Sequence, residues 1–231
     1  MKTIGILGGL GPEATIEYYR KIIQDLHSKT PDSDYPEIIV YSANMTELWR
    51  IIEAKQFHTL TAWLVEKIES LHDAGADFAA IASNTPHIVF DEVRSKSPMP
   101  LISIVEQTCS RAENMGLKKC GLFGTGFTMQ SNFYQDCFNR QGISIVVPDE
   151  DDMNFLDDKI FSELEFGIIK DQTRKQLLRI AKKMIDTESI DSLILACTEL
   201  PLILSNDEYG IHFLSTTAIH IESIIEYCLS D

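Results

Sequence analysis

The sequence predicts an α/β fold of two pseudo-symmetric halves, each a parallel sheet with helices on both faces, and a site between them at the carboxyl ends of the strands. Short apolar runs of strand length alternate with stretches of helical periodicity along the 231 residues. Each run ends in glycines or small polar residues. The same kind of strand-to-loop junction also recurs at a nearly constant separation, Gly8 returning as Gly124 and Ser83 as Cys197.

Residues 3–7 are an apolar run that breaks into Gly8-Gly9-Leu10-Gly11-Pro12, and residues 14–26 repeat apolar side chains at helical spacing, with Pro12 suited to a first helical turn. Residues 38–41 read as a second buried strand and 60–71 as a helix. Residues 78–82 read as a third strand, stopping at Ser83-Asn84-Thr85-Pro86-His87. The pattern restarts with a strand at 101–104, a helix near 105–114, a strand at 120–123 ending in Gly124-Thr125-Gly126, a helix near 129–140 and a strand at 143–147. Residues 164–185 read as helical with a break near Lys170-Asp171. Residues 192–196 form a strand ending at Cys197-Thr198-Glu199, and 216–228 a closing helix. The halves are drawn at 1–100, with the C-terminal helix assigned to pack on it, and 101–231, with Ser95-Lys96-Ser97-Pro98-Met99-Pro100 as the linker. In such sheets ligands bind beyond the carboxyl ends of the strands.

Composition narrows the function. Twenty Lys and Arg against 35 Asp and Glu give a net charge of -15, which repels phosphate backbones and anionic lipid, so no nucleic-acid partner is expected. An anion site must then be built from local donors such as loop N–H groups, hydroxyls, amides or one inward lysine. Five cysteines without a C-x-x-C pair argue against a disulfide framework and a thiolate zinc site, and fit a reducing cytoplasm. No H-E-x-x-H spacing supports a metal. No membrane or export segment is expected. The acidic runs 149–152 and 157–158 read as solvated loop residues.

Gly9-Leu10-Gly11-Pro12-Glu13-Ala14 matches the glycine pattern of dinucleotide sites, but the second strand ends in Ser42-Ala43-Asn44 and not in the ribose-binding acid. The loop is read as a cradle for a small carboxylate, with a plain turn as the alternative. Ser83-Asn84-Thr85 supplies a hydroxyl, an amide and a hydroxyl that can grip a carboxylate, or simply a turn and helix cap. Cys197 stands apart from Cys109, Cys120, Cys137 and Cys228, which read as buried hydrophobes, because it sits at a strand end. There polar neighbours and loop dipoles are expected to raise its thiolate fraction, with Thr198 donating to substrate. His87 and His220 are candidates to orient or protonate a neighbour, or to be hydrogen-bonded structural histidines; His27, His58 and His72 read as surface residues.

Taken in order, Gly5 through Thr15, Ser83-Asn84-Thr85-Pro86-His87, Phe123-Gly124-Thr125 and Ala196-Cys197-Thr198-Glu199-Leu200 resemble the aspartate/glutamate racemase family over nearly the whole chain. The resemblance implies two Rossmann-like halves, a homodimer, and no need for pyridoxal phosphate or metal. It implies racemisation of a small acidic amino acid, aspartate or glutamate, by a 1,1-proton transfer between two bases. Cys197 is one catalytic group and Ser83, where relatives carry a cysteine or in some cases threonine, is the other. A thiol titrates near 8.5, whereas a serine hydroxyl has no accessible anion, so Ser83 relays protons from water or His87, or acts slowly, or leaves Cys197 to act alone. The carried-over substrate-binding set is Gly8, Gly9, Asn44, Asn84, Thr85, Thr125, Thr198 and, for a distal carboxylate, Lys170, with His87, Glu199 and His220 in support. Ser215 stands where many relatives show aspartate. The alternatives are a single-cysteine decarboxylase or isomerase of a small dicarboxylate, and a catalytically silent protein that binds acidic amino acids.

Overall fold

The computed structural model describes residues 1–29, 35–205 and 207–230. The chain divides into two units, Met1–Ile104 with His220–Asp231, and Val105–Ile219.

The first unit contains β1 (Ile4–Gly8), α1 (Pro12–Lys29), β2 (Ile38–Ser42), α2 (Met45–Glu53), α3 (Phe57–Asp73), β3 (Phe78–Ile81), α4 (Phe90–Lys96) and β4 (Leu101–Ile102). Its sheet is parallel in the order β2-β1-β3-β4, with Leu7 opposite both Tyr41 and Ile81. Tyr18, Ile22 and Leu26, at i, i+4 and i+8 on α1, pack with Ile4, Ile6, Phe78 and Ala80 of the sheet. Ile221, Ile224 and Ile225 of the last helix join the same core. β2 departs from the buried strand expected at 38–41, since it is the sheet edge and Val40 is 41% exposed. An apolar run marks a strand but does not say whether both of its sides are paired. The segment 95–100 joins α4 to β4 inside this unit.

The second sheet and its helices are α5 (Ile104–Asn114), β5 (Lys119–Gly124), α6 (Gly126–Gln130), α7 (Phe133–Asn139), β6 (Ser144–Val146), α8 (Glu150–Ser162), α9 (Asp171–Glu188), β7 (Ser192–Ala196), α10 (Leu200–Ile203) and β8 (His212–Ser215), and the chain closes with α11 (Thr216–Leu229), which belongs to the first unit from His220 on. The sheet order β6-β5-β7-β8, again all parallel, repeats that of the first unit strand for strand. The expected helix at 129–140 is two helices broken at Ser131-Asn132. The break expected near Lys170-Asp171 is where α9 begins, and the residues before it form a 3-10 turn at Leu164–Phe166 followed by Gly167 at φ +66.

The acidic runs are not solvated loops. Asp149 caps α8 by accepting from the Asp152 amide at 3.0 Å, and Glu150, Asp151 and Asp152 fill the first turn, where the helix dipole favours negative charge. Asp152 is buried and paired with Arg179 at 2.9 Å and Lys183 at 2.8 Å, while Asp157 lies within the helix. Among the described residues no helix is long and apolar enough to cross a membrane.

Candidate active site

Each unit gathers its polar junctions at the carboxyl ends of its two central strands. In the first, Leu7 pairs with Ile81, so Gly8, the last residue of β1, and Ala82, the first beyond β3, stand side by side. A Cβ on Gly9, whose φ is +75, would lie 2.3 Å from the Ala43 carbonyl, and one on Gly8 would lie 2.4 Å from Thr15. Close approach of backbone and helix therefore demands both glycines. The Gly9 amide is committed to Thr15 Oγ1 at 2.8 Å. Asn44 uses its Oδ1 to cap α2, accepting from the Thr46 amide at 3.0 Å and from the Glu47 amide.

Beyond β3, Ser83 is half-buried and Asn84 and Thr85 are buried. The Ser83 hydroxyl makes no hydrogen bond within the chain among the described residues. His87 turns its Nδ1 to the Ser83 carbonyl at 2.9 Å, and its Nε2 accepts from the Ile104 amide at 3.3 Å. Those partners assign the proton to Nδ1 and keep the ring neutral. Burial, reinforced by His220, lowers its pKa to about 3. In His220, Nε2 donates to the Ile102 carbonyl at 2.9 Å and Nδ1 accepts from the Tyr18 hydroxyl at 2.8 Å, and burial lowers its pKa to about 4. Both histidines are structural braces. The expected relay from His87 to the Ser83 hydroxyl is not formed, because both ring nitrogens are held by backbone groups.

The second unit is organised differently. Gly124 pairs with Ala196, so Thr125 and Cys197 emerge from neighbouring strands at one level. Thr125 caps α6, its Oγ1 accepting from the Thr128 amide at 3.3 Å, and the Gly126 amide donates to Asp157 Oδ1 at 2.6 Å. Cys197 is 8% exposed, and its thiol donates to Glu199 Oε2 at 2.8 Å. The Thr198 hydroxyl donates to the same oxygen at 2.7 Å. Burial first, then the Glu199 carboxylate, pushes the Cys197 thiol well above its ordinary range. This corrects the expected rise in thiolate fraction: the loop supplies a carboxylate close enough to hold the proton on sulfur.

Glu165, which carried no sequence signal inside the 164–185 run, is half-buried, and its charge also reaches Cys197. Burial, then Glu199 and Asp157, raises its own pKa. Lys170 is 55% exposed and paired with Glu163 at 3.1 Å, whose other oxygen accepts from Thr173 at 2.6 Å. The cavity that Lys170 lines with Phe155, Gln172 and Gln176 does not include Cys197, Thr198 or Thr125. Ser215 fills the cap position of α11, accepting from the Ala218 amide at 3.2 Å. Among the described residues, no group of three or more His, Cys, Asp or Glu side chains is arranged to hold a metal ion.

Two four-stranded parallel sheets of the same strand order, each with polar residues at the carboxyl ends of its central strands, place the chain among the amino-acid racemases by fold. The chain belongs to the Asp/Glu/hydantoin racemase family, whose sequence profile matches residues 7–224. It is 27% identical over 237 residues to the broad specificity amino-acid racemase RacX of Bacillus subtilis, covering 98% of each chain. Among solved structures it is similar to PH1733, an aspartate racemase homologue from Pyrococcus horikoshii, with a TM-score of 0.86 and 34% identity over 100% of both chains. It is also similar to the Picrophilus torridus aspartate racemase, with a TM-score of 0.76 and 27% identity over 99% of this chain and 94% of that one.

Proposed function

We propose that this protein is a cofactor-independent racemase of aspartate or glutamate, with Cys197 acting on one face of the α-carbon and Ser83 on the other. The observation that carries the reading is the Cys197 thiol seated 2.8 Å from Glu199 Oε2. A thiol needs an acceptor for its own proton before it can take one from carbon. As Cys197 removes the α-proton, its S–H proton passes to Glu199; a thiolate of high pKa is the stronger base. The carbanion then takes a proton from Ser83 on the opposite face, and Ser83 recovers one from water. In the reverse direction Ser83 must abstract with no base beside it, so inversion is slower than exchange on the Cys197 face.

Gly8, Gly9, Asn44, Asn84, Thr85, Thr125 and Thr198 are proposed to anchor the substrate, and Lys170 to take the distal carboxylate in place of Glu163. The names of the two similar solved structures support an acidic substrate, and that of RacX a broader one. A cytoplasmic location is part of the proposal, supported by five cysteines that lie outside any disulfide, as is the homodimer implied by the family resemblance. The test follows loss of the α-proton signal of each enantiomer in deuterated water beside a chiral assay. Binding of aspartate and glutamate, seen as a thermal shift, with no exchange from either enantiomer overturns racemisation.

The unassisted Ser83 hydroxyl favours a second reading, a single-thiol decarboxylase or isomerase of a small dicarboxylate. Carbon dioxide release or cis/trans isomerisation on a dicarboxylate panel supports it, and a Ser83→Cys variant that racemises much faster contradicts it.

A further inference from the structure

Away from Cys197, the second unit holds two other cysteines face to face. Cys109 is buried on α5, and its thiol points at the backbone carbonyl of Cys137 on α7 with a sulfur-to-oxygen distance of 3.7 Å. The Cys137 side chain is also the strongest influence on the titration of the Cys109 thiol. Cys137 is half-buried, so solvent reaches it before its partner. The segment between them contains β5, Thr125 and α6.

We propose that Cys109 and Cys137 form a reversible disulfide when the protein meets a hydroperoxide, stapling α5 to α7. In the first step the Cys137 sulfur attacks the peroxide, an S–O bond forms as the O–O bond breaks, Cys137 becomes a sulfenic acid, and an alcohol or water leaves with the thiol proton. In the second the Cys109 sulfur attacks the sulfenic sulfur, the S–O bond breaks, and water leaves carrying the thiol proton. Sulfur is oxidised and the peroxide oxygen reduced, two thiols and one hydroperoxide giving one disulfide. The order follows from the site. The contact with Cys137, then burial, pushes the Cys109 thiol far above its ordinary range, which keeps it unreactive while Cys137 is reduced. Oxidation of Cys137 removes the larger of those two causes and turns Cys109 into the resolving thiol. The alternative partner is Cys120, fully buried at the start of β5 and close enough for its charge to reach Cys109.

This inference is independent of the racemase reading. The test treats the full-length protein with hydrogen peroxide, counts free thiols, and maps the non-reduced peptides. The expected result is loss of two of the five thiols, a linked peptide joining Cys109 to Cys137, full recovery with dithiothreitol, and no linkage in Cys137→Ser. Because the map is read on the unmodified sequence, a variant that folds poorly does not affect it. The proposal is overturned by a Cys109–Cys120 link, by Cys137 ending as a sulfinic acid without linkage, or by five intact thiols at a dose that oxidises a control peptide.

Discussion

The ends of β3 and β7 occupy the same place in two copies of one topology, yet they hold their polar groups in opposite ways. At β7 the side chains are engaged: Cys197 and Thr198 both donate to one oxygen of Glu199. At β3 the hydroxyl of Ser83 makes no hydrogen bond among the described residues, and the nearby titratable group, His87, is occupied by the Ser83 carbonyl and the Ile104 amide. The carboxylate, two residues beyond the cysteine, has no counterpart two residues beyond the serine, where Thr85 stands. Among the described residues, the β7 end holds its thiol on a carboxylate and the β3 end leaves its hydroxyl outside any hydrogen bond.

Breaking the β7 pairing gives the largest expected effect. Cys197→Ala should slow α-proton exchange from either enantiomer by about 10³-fold or more, measured by proton NMR in deuterated water. Next, Glu199→Gln removes the charge but keeps an acceptor, and should lower exchange by about 10²-fold while the ligand-induced thermal shift persists. Because the Glu199 charge helps to raise the Cys197 pKa, the same variant should shift the pH profile of Cys197 alkylation to lower pH. A profile shifted upward, or not at all, contradicts the Cys197–Glu199 linkage.

Sharpening the comparison from the other side, Ser83→Cys should raise racemisation by about tenfold, since a thiol has an anion within reach where a hydroxyl does not. Exchange on the Cys197 face should change little, and a chiral assay separates the two.

The smallest effect concerns the first unit alone. The folded pKa values of His87, about 3, and His220, about 4, lie below the ordinary 6.5, so between these limits the unfolded chain binds more protons. Their neutral burial stabilises fully above pH 6.5 and is lost as pH falls toward 4, by about 1.4 kcal/mol per pH unit for each ring. Urea unfolding at pH 7 and pH 5 checks this; equal midpoints contradict it.

What the sequence showed was local. Apolar runs ending in glycine or serine located β1, β3, β5 and β7, and the position of Cys197 at a strand end separated it from the other cysteines. What it hid depended on neighbours distant in the chain. The edge position of β2 is set by which strands pair, and the helical state of 150–162 by Asp149 capping and by Arg179 and Lys183 reaching across to Asp152. The roles of His87 and His220 were undecidable until Ile104, Ile102 and Tyr18 occupied their ring nitrogens. Glu165 lies about thirty residues from Cys197 in sequence, and only the fold brings its field onto the thiol.

The most direct measurement is the ratio of α-proton exchange to inversion, determined separately for each enantiomer of aspartate and glutamate in deuterated water. For the enantiomer whose α-hydrogen faces Cys197, exchange with retention should outrun inversion several-fold, and Ser83→Cys should bring the two rates together. Equal rates of exchange and inversion from both enantiomers in the native protein would show Ser83 to be as capable a proton carrier as Cys197, contradicting the asymmetry between the two strand ends.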